Sequence, residues 1–98
     1  MMRADIKCGC ASYAHEAVTP SGERRAGFAV VVRDSRGGES FWPVEIEPAE
    51  LRAACLVEAR PGRGMALSYE LAARKERRHG VDAWTTYRFL RALDVQWA

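Results

Sequence analysis

Apolar and polar positions divide the first half of the chain into short runs with the period of strands. Residues 5–13, Asp-Ile-Lys-Cys-Gly-Cys-Ala-Ser-Tyr, read as a first strand. Thr19-Pro20-Ser21-Gly22 has the composition of a turn and is followed by charges. Phe28-Ala29-Val30-Val31-Val32 is an apolar run closed by Arg33-Asp34, which predicts a strand buried on most of both faces. Asp34-Ser35-Arg36-Gly37-Gly38 reads as a hairpin loop. Residues 39–46 form the third strand, with Trp42, Val44 and Ile46 on one face. Pro43 has no N–H to give to a ladder, so this strand is expected at a sheet edge.

The second half reads as helical. Pro48 suits a first helical turn, and residues 49–59 predict a helix ended by Arg60-Pro61-Gly62. Residues 65–69 fit either a short strand or the opening of a helix. Residues 71–79 predict a helix closed by Gly80, and Asp82 is a good N-cap for another over 83–93. In that last helix Thr86, Leu90 and Leu93 form one stripe, with Tyr87 beside it. Val95-Gln96-Trp97 reads as a terminal strand. The expected fold class is therefore α+β: a three-stranded antiparallel meander followed by helices, in a single domain over residues 1–98.

Composition narrows the class without naming a function. With 48% hydrophobic and 29% charged residues in 98, the chain is neither a disordered tract, a collagen-like repeat nor a coiled coil. No apolar run reaches the roughly 18 residues of a membrane span, and Met1-Met2-Arg3-Ala4-Asp5 is not a secretory signal, so a cytoplasmic protein with no membrane partner is the expectation. The net charge is only +2, but it is unevenly spread. Residues 60–91 hold eight basic side chains against Glu70, Glu76 and Asp82, a balance of +5 that leaves −3 for the rest. That asymmetry makes the C-terminal half a candidate for an anionic partner.

Cysteine usage adds little chemistry. Cys8, Cys10 and Cys55 are an odd number without a signal, which fits reduced thiols. Cys8-Gly9-Cys10 with His15 nearby lacks zinc spacing, because one residue separates the pair and no second pair follows. Two strand residues on one face explain the motif. His15 and His79 have no Ser or Cys in an activating motif near them, so a nucleophile–base pair is unsupported.

Three carboxylates stand at telling places. Asp5 opens the first strand, Glu50 lies in the first helical turn, and Glu70 follows the 65–69 segment. At helical spacing Glu50 shares a stripe with Ala54 and Val57 that is expected to face the sheet. A carboxylate there needs a cation or hydrogen bonds, although a Glu in a first turn is also favoured by the helix dipole alone.

On these residues the sequence resembles the ribonuclease H family. Ala4-Asp5-Ile6-Lys7-Cys8 is similar to the family's first-strand motif, Gly27-Phe28-Ala29-Val30-Val31-Val32-Arg33 to its second strand, and Ala49-Glu50-Leu51-Arg52-Ala53-Ala54 to its metal-binding helix motif. Leu67-Ser68-Tyr69-Glu70 stands where that family places a fourth-strand Asp. The resemblance implies a truncated ribonuclease H-like mixed sheet. It also implies a nuclease reading in which Asp5, Glu50 and Glu70 are catalytic metal ligands for Mg²⁺ or Mn²⁺, activating water on a phosphodiester of RNA or an RNA–DNA hybrid. Ile6 replaces the usual Gly, Glu70 replaces an Asp, and the family's final helix and catalytic His loop have no match. Those departures favour an incomplete catalytic centre and no cofactor.

The densest charge run is Arg74-Lys75-Glu76-Arg77-Arg78-His79. On a helix Arg74, Arg77 and Arg78 share a face, with Trp84 and Tyr87 close behind. Basic side chains beside aromatic rings suit phosphate contacts and base stacking. Arg74, Lys75, Arg77, Arg78, Trp84, Arg88 and Arg91 are the candidate binding residues. The leading expectation is a small non-enzymatic binding module that docks on nucleic acid or on a nucleic-acid-processing protein. Its size and lack of a cofactor motif suit an accessory or inhibitor role, such as a phage-encoded inhibitor of a host defence complex. A homodimer through the edge of 39–46 or the terminal strand is the structural alternative.

Overall fold

The computed structural model describes residues 3–19, 21–77 and 84–98. Its elements run β1 (Arg3–Cys10), β2 (His15–Val18), β3 (Arg24–Arg33), β4 (Glu39–Ile46), α1 (Ala49–Glu58), β5 (Gly64–Arg77) and β6 (Trp84–Trp97). The sheet order is β1-β5-β6-β4-β3-β2, and a further pairing of β1 with β3 closes it into a barrel. β1 meets β3 at Gly9↔Val31 and Cys10↔Val30, and β2 continues along β3 from His15↔Gly27 to Val18↔Arg24.

Alternation on each strand fills the barrel. Ala26, Phe28 and Val30 of β3 point inward, as do Val44 and Ile46 of β4, Met65 and Leu67 of β5, and Leu90, Ala92 and Val95 of β6. Val30, Val44, Ile46 and Leu67 are almost wholly buried, each worth about 1.5–3 kcal/mol in transfer free energy. The β3–β4 turn is set by Asp34, whose Oδ1 accepts from the N–H groups of Arg36 and Gly38. Gly37 there has φ 80°, which only glycine adopts without strain.

The strands of the meander and α1 lie where the sequence places them, but the α+β class does not hold. Residues 71–77 and 84–93 are strand, within an antiparallel pair running from Met65↔Trp97 to Arg77↔Trp84 with a bulge at Ser68/Tyr69. Residues 78–80 and Asp82, the expected helix end and N-cap, lie outside the described residues, as does Pro20. Trp84-Thr85-Thr86-Tyr87 and Phe89 are aromatic or β-branched and favour a pleated surface. Burying Leu90 and Ala92 at one-residue alternation requires a strand, and tertiary packing overrides the helix-forming Ala, Arg and Lys of β5.

Two smaller expectations change as well. β4 is not a sheet edge, since it pairs with β3 along its length and with β6, in parallel, at Val44↔Leu90 and Glu45↔Arg91. Pro43 is tolerated because β6 reaches only those two residues. In α1 the buried stripe is Leu51, Cys55 and the following Ala59, while Glu50, Ala54 and Val57 face outward. Cys8 and Cys10 lie on one face of β1 against the core. Among the described residues no helix is long and apolar enough to cross a membrane.

Candidate functional site

The outward-facing residues of β3, β4, β6 and β5 carry the chemistry. From β3 come Arg25, Gly27 and Ala29; from β4, Pro43 and Glu45; from β6, Tyr87, Phe89 and Arg91; from β5, Glu70, Ala72 and Arg74. The pairings Ala29↔Pro43, Gly27↔Glu45, Arg74↔Tyr87, Ala72↔Phe89 and Glu70↔Arg91 set them side by side.

Rings and guanidinium groups stack at one end of this face. The Tyr87 and Phe89 rings lie 5.6 Å apart at 20°. The Arg74 guanidinium carbon is 4.8 Å from the Tyr87 ring centre and 5.0 Å from that of Phe89. Arg91 approaches the Phe89 ring at 5.8 Å. These distances are within cation–π range. Phe89 is only 2% exposed although it points away from the core.

Beside the stack runs a groove of roughly 580 Å³, lined by Ser12, His15, Ala29, Pro43, Arg74 and Tyr87 among others. Gly27 forms part of its floor, and a Cβ there would lie 3.6 Å from the Val44 carbonyl oxygen and 4.0 Å from His15 Nε2. Glycine thus leaves a recess that any larger residue fills. The Ser12 hydroxyl oxygen accepts from the Ala29 N–H at 2.8 Å and fixes the groove's far wall.

The arginines of the face are held by carboxylates. Glu45 Oε1 accepts from Arg74 Nη1 at 2.6 Å and from Arg25 Nη1 at 3.2 Å. Arg25 also reaches Glu23 at 2.9 Å and Glu47 at 3.5 Å. Arg91 donates to Glu70 at 2.8 Å and lies 3.7 Å from Glu47. Burial works against the charge of Arg25, but its bonds to Glu23 and Glu45 and the charge of Glu47 outweigh that and hold the guanidinium above its ordinary value.

Of the residues singled out in the sequence, Arg74 and Arg91 sit in this face. Lys75, Arg88 and Trp84 are exposed on the opposite face of the β5–β6 pair, because neighbours in a strand alternate. The helical face of Arg74, Arg77 and Arg78 does not form; Arg77 ends β5, and Arg78 lies outside the described residues. Asp5 is exposed and accepts a hydrogen bond from Ser68. Glu50 is exposed on α1, and Glu70 is buried and tied to Arg91. Among the described residues no three His, Cys, Asp or Glu side chains form a group able to hold a metal ion. The three carboxylates therefore do not fit a Mg²⁺ or Mn²⁺ centre. Gly27, Glu45, Arg25 and His15 were missed as site residues. The period-2 spacing of Tyr87, Phe89 and Arg91 is the signal that could have found the face.

No protein-family description and no curated protein sequence matches the chain. Solved structures do. A Plasmodium falciparum single-stranded DNA-binding protein in complex with single-stranded DNA has a TM-score of 0.77 at 13% identity, over 100% of this chain and 95% of that one. The mitochondrial single-stranded DNA-binding protein of S. cerevisiae has 0.75 at 12%, over 97% and 91%. A small single-stranded DNA-binding protein of Streptomyces coelicolor has 0.71 at 15%, over 99% and 94%. The chain thus shares the small closed barrel of these proteins, the OB fold. This overturns the ribonuclease H-like resemblance. The first strands looked alike because both folds open with an antiparallel meander followed by a helix.

Proposed function

We propose that this chain is a non-enzymatic module that binds single-stranded nucleic acid across the outer face of β3, β4, β6 and β5. The observation that carries the reading is the Tyr87–Arg74–Phe89 stack standing beside a groove floored by Gly27 and Ala29. A base laid in that groove finds a flat floor, an aromatic edge and a guanidinium plane, the surroundings that unpaired bases seek. A duplex keeps its bases stacked inside and offers none of that surface. The fold shared with single-stranded DNA-binding proteins supports the reading. The nuclease expectation falls with the fold it rested on, and no observation favours the inhibitor role.

Fluorescence anisotropy with a labelled single-stranded oligonucleotide tests the reading, beside the same sequence as a duplex. Saturable binding to the single strand, weak binding to the duplex, and loss of affinity in Tyr87→Ala with an unchanged melting curve are expected. Equal binding to both forms, or none to the single strand at low salt, overturns it.

A further inference from the structure

The arginines of the groove are not available as bare cations. Arg25, Arg74 and Arg91 form one continuous seam with Glu23, Glu45, Glu47 and Glu70, crossing all four strands. Three positive and four negative side chains give it a formal charge of −1. Glu45 is its hub: its side chain is 11% exposed, and one oxygen takes hydrogen bonds from two arginines. A phosphate entering here must displace a carboxylate already held by charge-assisted bonds in a partly dry site. A neutral base displaces nothing. It meets the exposed plane of Arg74 that Glu45 holds against Tyr87 and Phe89.

We propose that Glu45 is a built-in competitor of phosphate, so that the groove takes the base of a nucleotide while its phosphate stays outside. This rests on the single-strand binding reading above and adds what drives it. Binding by stacking releases few counterions, so affinity falls little with salt. Phosphate binding on single strands lowers log K by about 0.7 per phosphate for each unit of log salt. Glu45 is a positioning residue that trades charge attraction for a fixed guanidinium plane.

The test is the salt slope, read for the unmodified protein and for Glu45→Gln with oligo-dT between about 50 and 200 mM NaCl. The unmodified protein is expected to lose less than about fourfold in affinity over that range, the loss from a single phosphate contact or fewer. Glu45→Gln leaves Arg25 and Arg74 without their shared carboxylate. It is expected to bind more tightly at low salt and to lose about sevenfold more across the same range, the effect of two added phosphate contacts. An abasic oligonucleotide of the same length separates base from backbone: it should bind Glu45→Gln and not the unmodified protein. Glu47→Gln, on a more exposed member of the seam, should shift the slope in the same direction by less, and it decides the matter if Glu45→Gln fails to fold. A steep slope in the unmodified protein, or tight abasic binding by it, overturns the inference and leaves single-strand binding standing. An unaltered slope in a folded Glu45→Gln variant does the same. Failure of the unmodified protein to bind oligo-dT at any salt removes the reading beneath.

Discussion

The guanidinium carbon of Arg74 lies 4.8 Å from the centre of the Tyr87 ring, its register partner across the β5–β6 pair. Phe89, two residues on, lies under the same guanidinium and is sealed from solvent. The two rings therefore have different duties. Tyr87→Ala should cost about 1–3 kcal/mol of oligonucleotide binding, the usual worth of one stacked base, and leave the melting temperature nearly unchanged. Phe89→Ala should lower stability by about 3–5 kcal/mol, as expected for emptying a buried aromatic site. Thermal melts beside anisotropy titrations check both.

Gly27 offers a converse test. An added Cβ meets the Val44 carbonyl oxygen at 3.6 Å, which is ordinary contact, and the backbone there needs no positive φ. Gly27→Val should therefore keep or raise stability, since β-branched residues suit a strand and glycine weakens it. Its methyl groups occupy the groove floor, and oligonucleotide affinity should fall at least tenfold. Unchanged affinity in a folded Gly27→Val protein places the base elsewhere.

Glu70 and Arg91 make a pair whose halves are unequal. The Glu70 side chain is 8% exposed and that of Arg91 38%, and Glu70 Oε2 is buried without a hydrogen-bond partner. Arg91→Leu strands a carboxylate beneath the face and should cost about 1–3 kcal/mol. Adding Glu70→Leu removes the stranded charge and should restore part of that loss. Urea denaturation of the two single variants and the double variant gives the coupling.

The core thiols set the alkaline limit. Burial, with the charge of neighbouring Cys10 adding to it, pushes Cys55 up to about 12 and Cys8 up to about 11. In the unfolded chain these groups ionise near pH 8.5. The folded state thus keeps protons that the unfolded state loses, so stability is whole below the unfolded value and declines as pH rises toward the folded ones. The urea midpoint should fall from about pH 9 upward, and less steeply in Cys55→Ala than in the unmodified protein.

The sequence disclosed the meander and α1 but not the second half. Phe28–Val32 and Trp42–Ile46 could be read because an apolar run with a glycine turn between admits one structure. Residues 71–77 were misread because Leu71-Ala72-Ala73-Arg74-Lys75 is rich in helix formers, and their strand form depends on partners far along the chain. Residues 84–93 offered two periods at once. Thr86, Leu90 and Leu93 fit a helix, while Tyr87, Phe89 and Arg91 fit a strand, and the second was given too little weight. The C-terminal basic residues drew attention to Arg74 and Arg91, but their placement turns on alternation. The carboxylates that neutralise them lie partly on β4, and no local pattern joins Glu45 to Arg74.

β4 and β6 touch in register only at Val44↔Leu90 and Glu45↔Arg91. That short joint closes the ring between strands remote in sequence, so it carries a large loop-closure entropy for few backbone bonds. The β3–β4 hairpin is local, and the long β5–β6 pair joins segments near each other in the chain, so both can assemble before the joint does. Glu45 and Arg91 belong at once to the joint and to the charged seam. The recognition face is consequently absent from any half-assembled ring and comes into being with the last step of folding. A bound strand would act as a clasp across that joint, slowing its opening and with it the unfolding of the whole barrel.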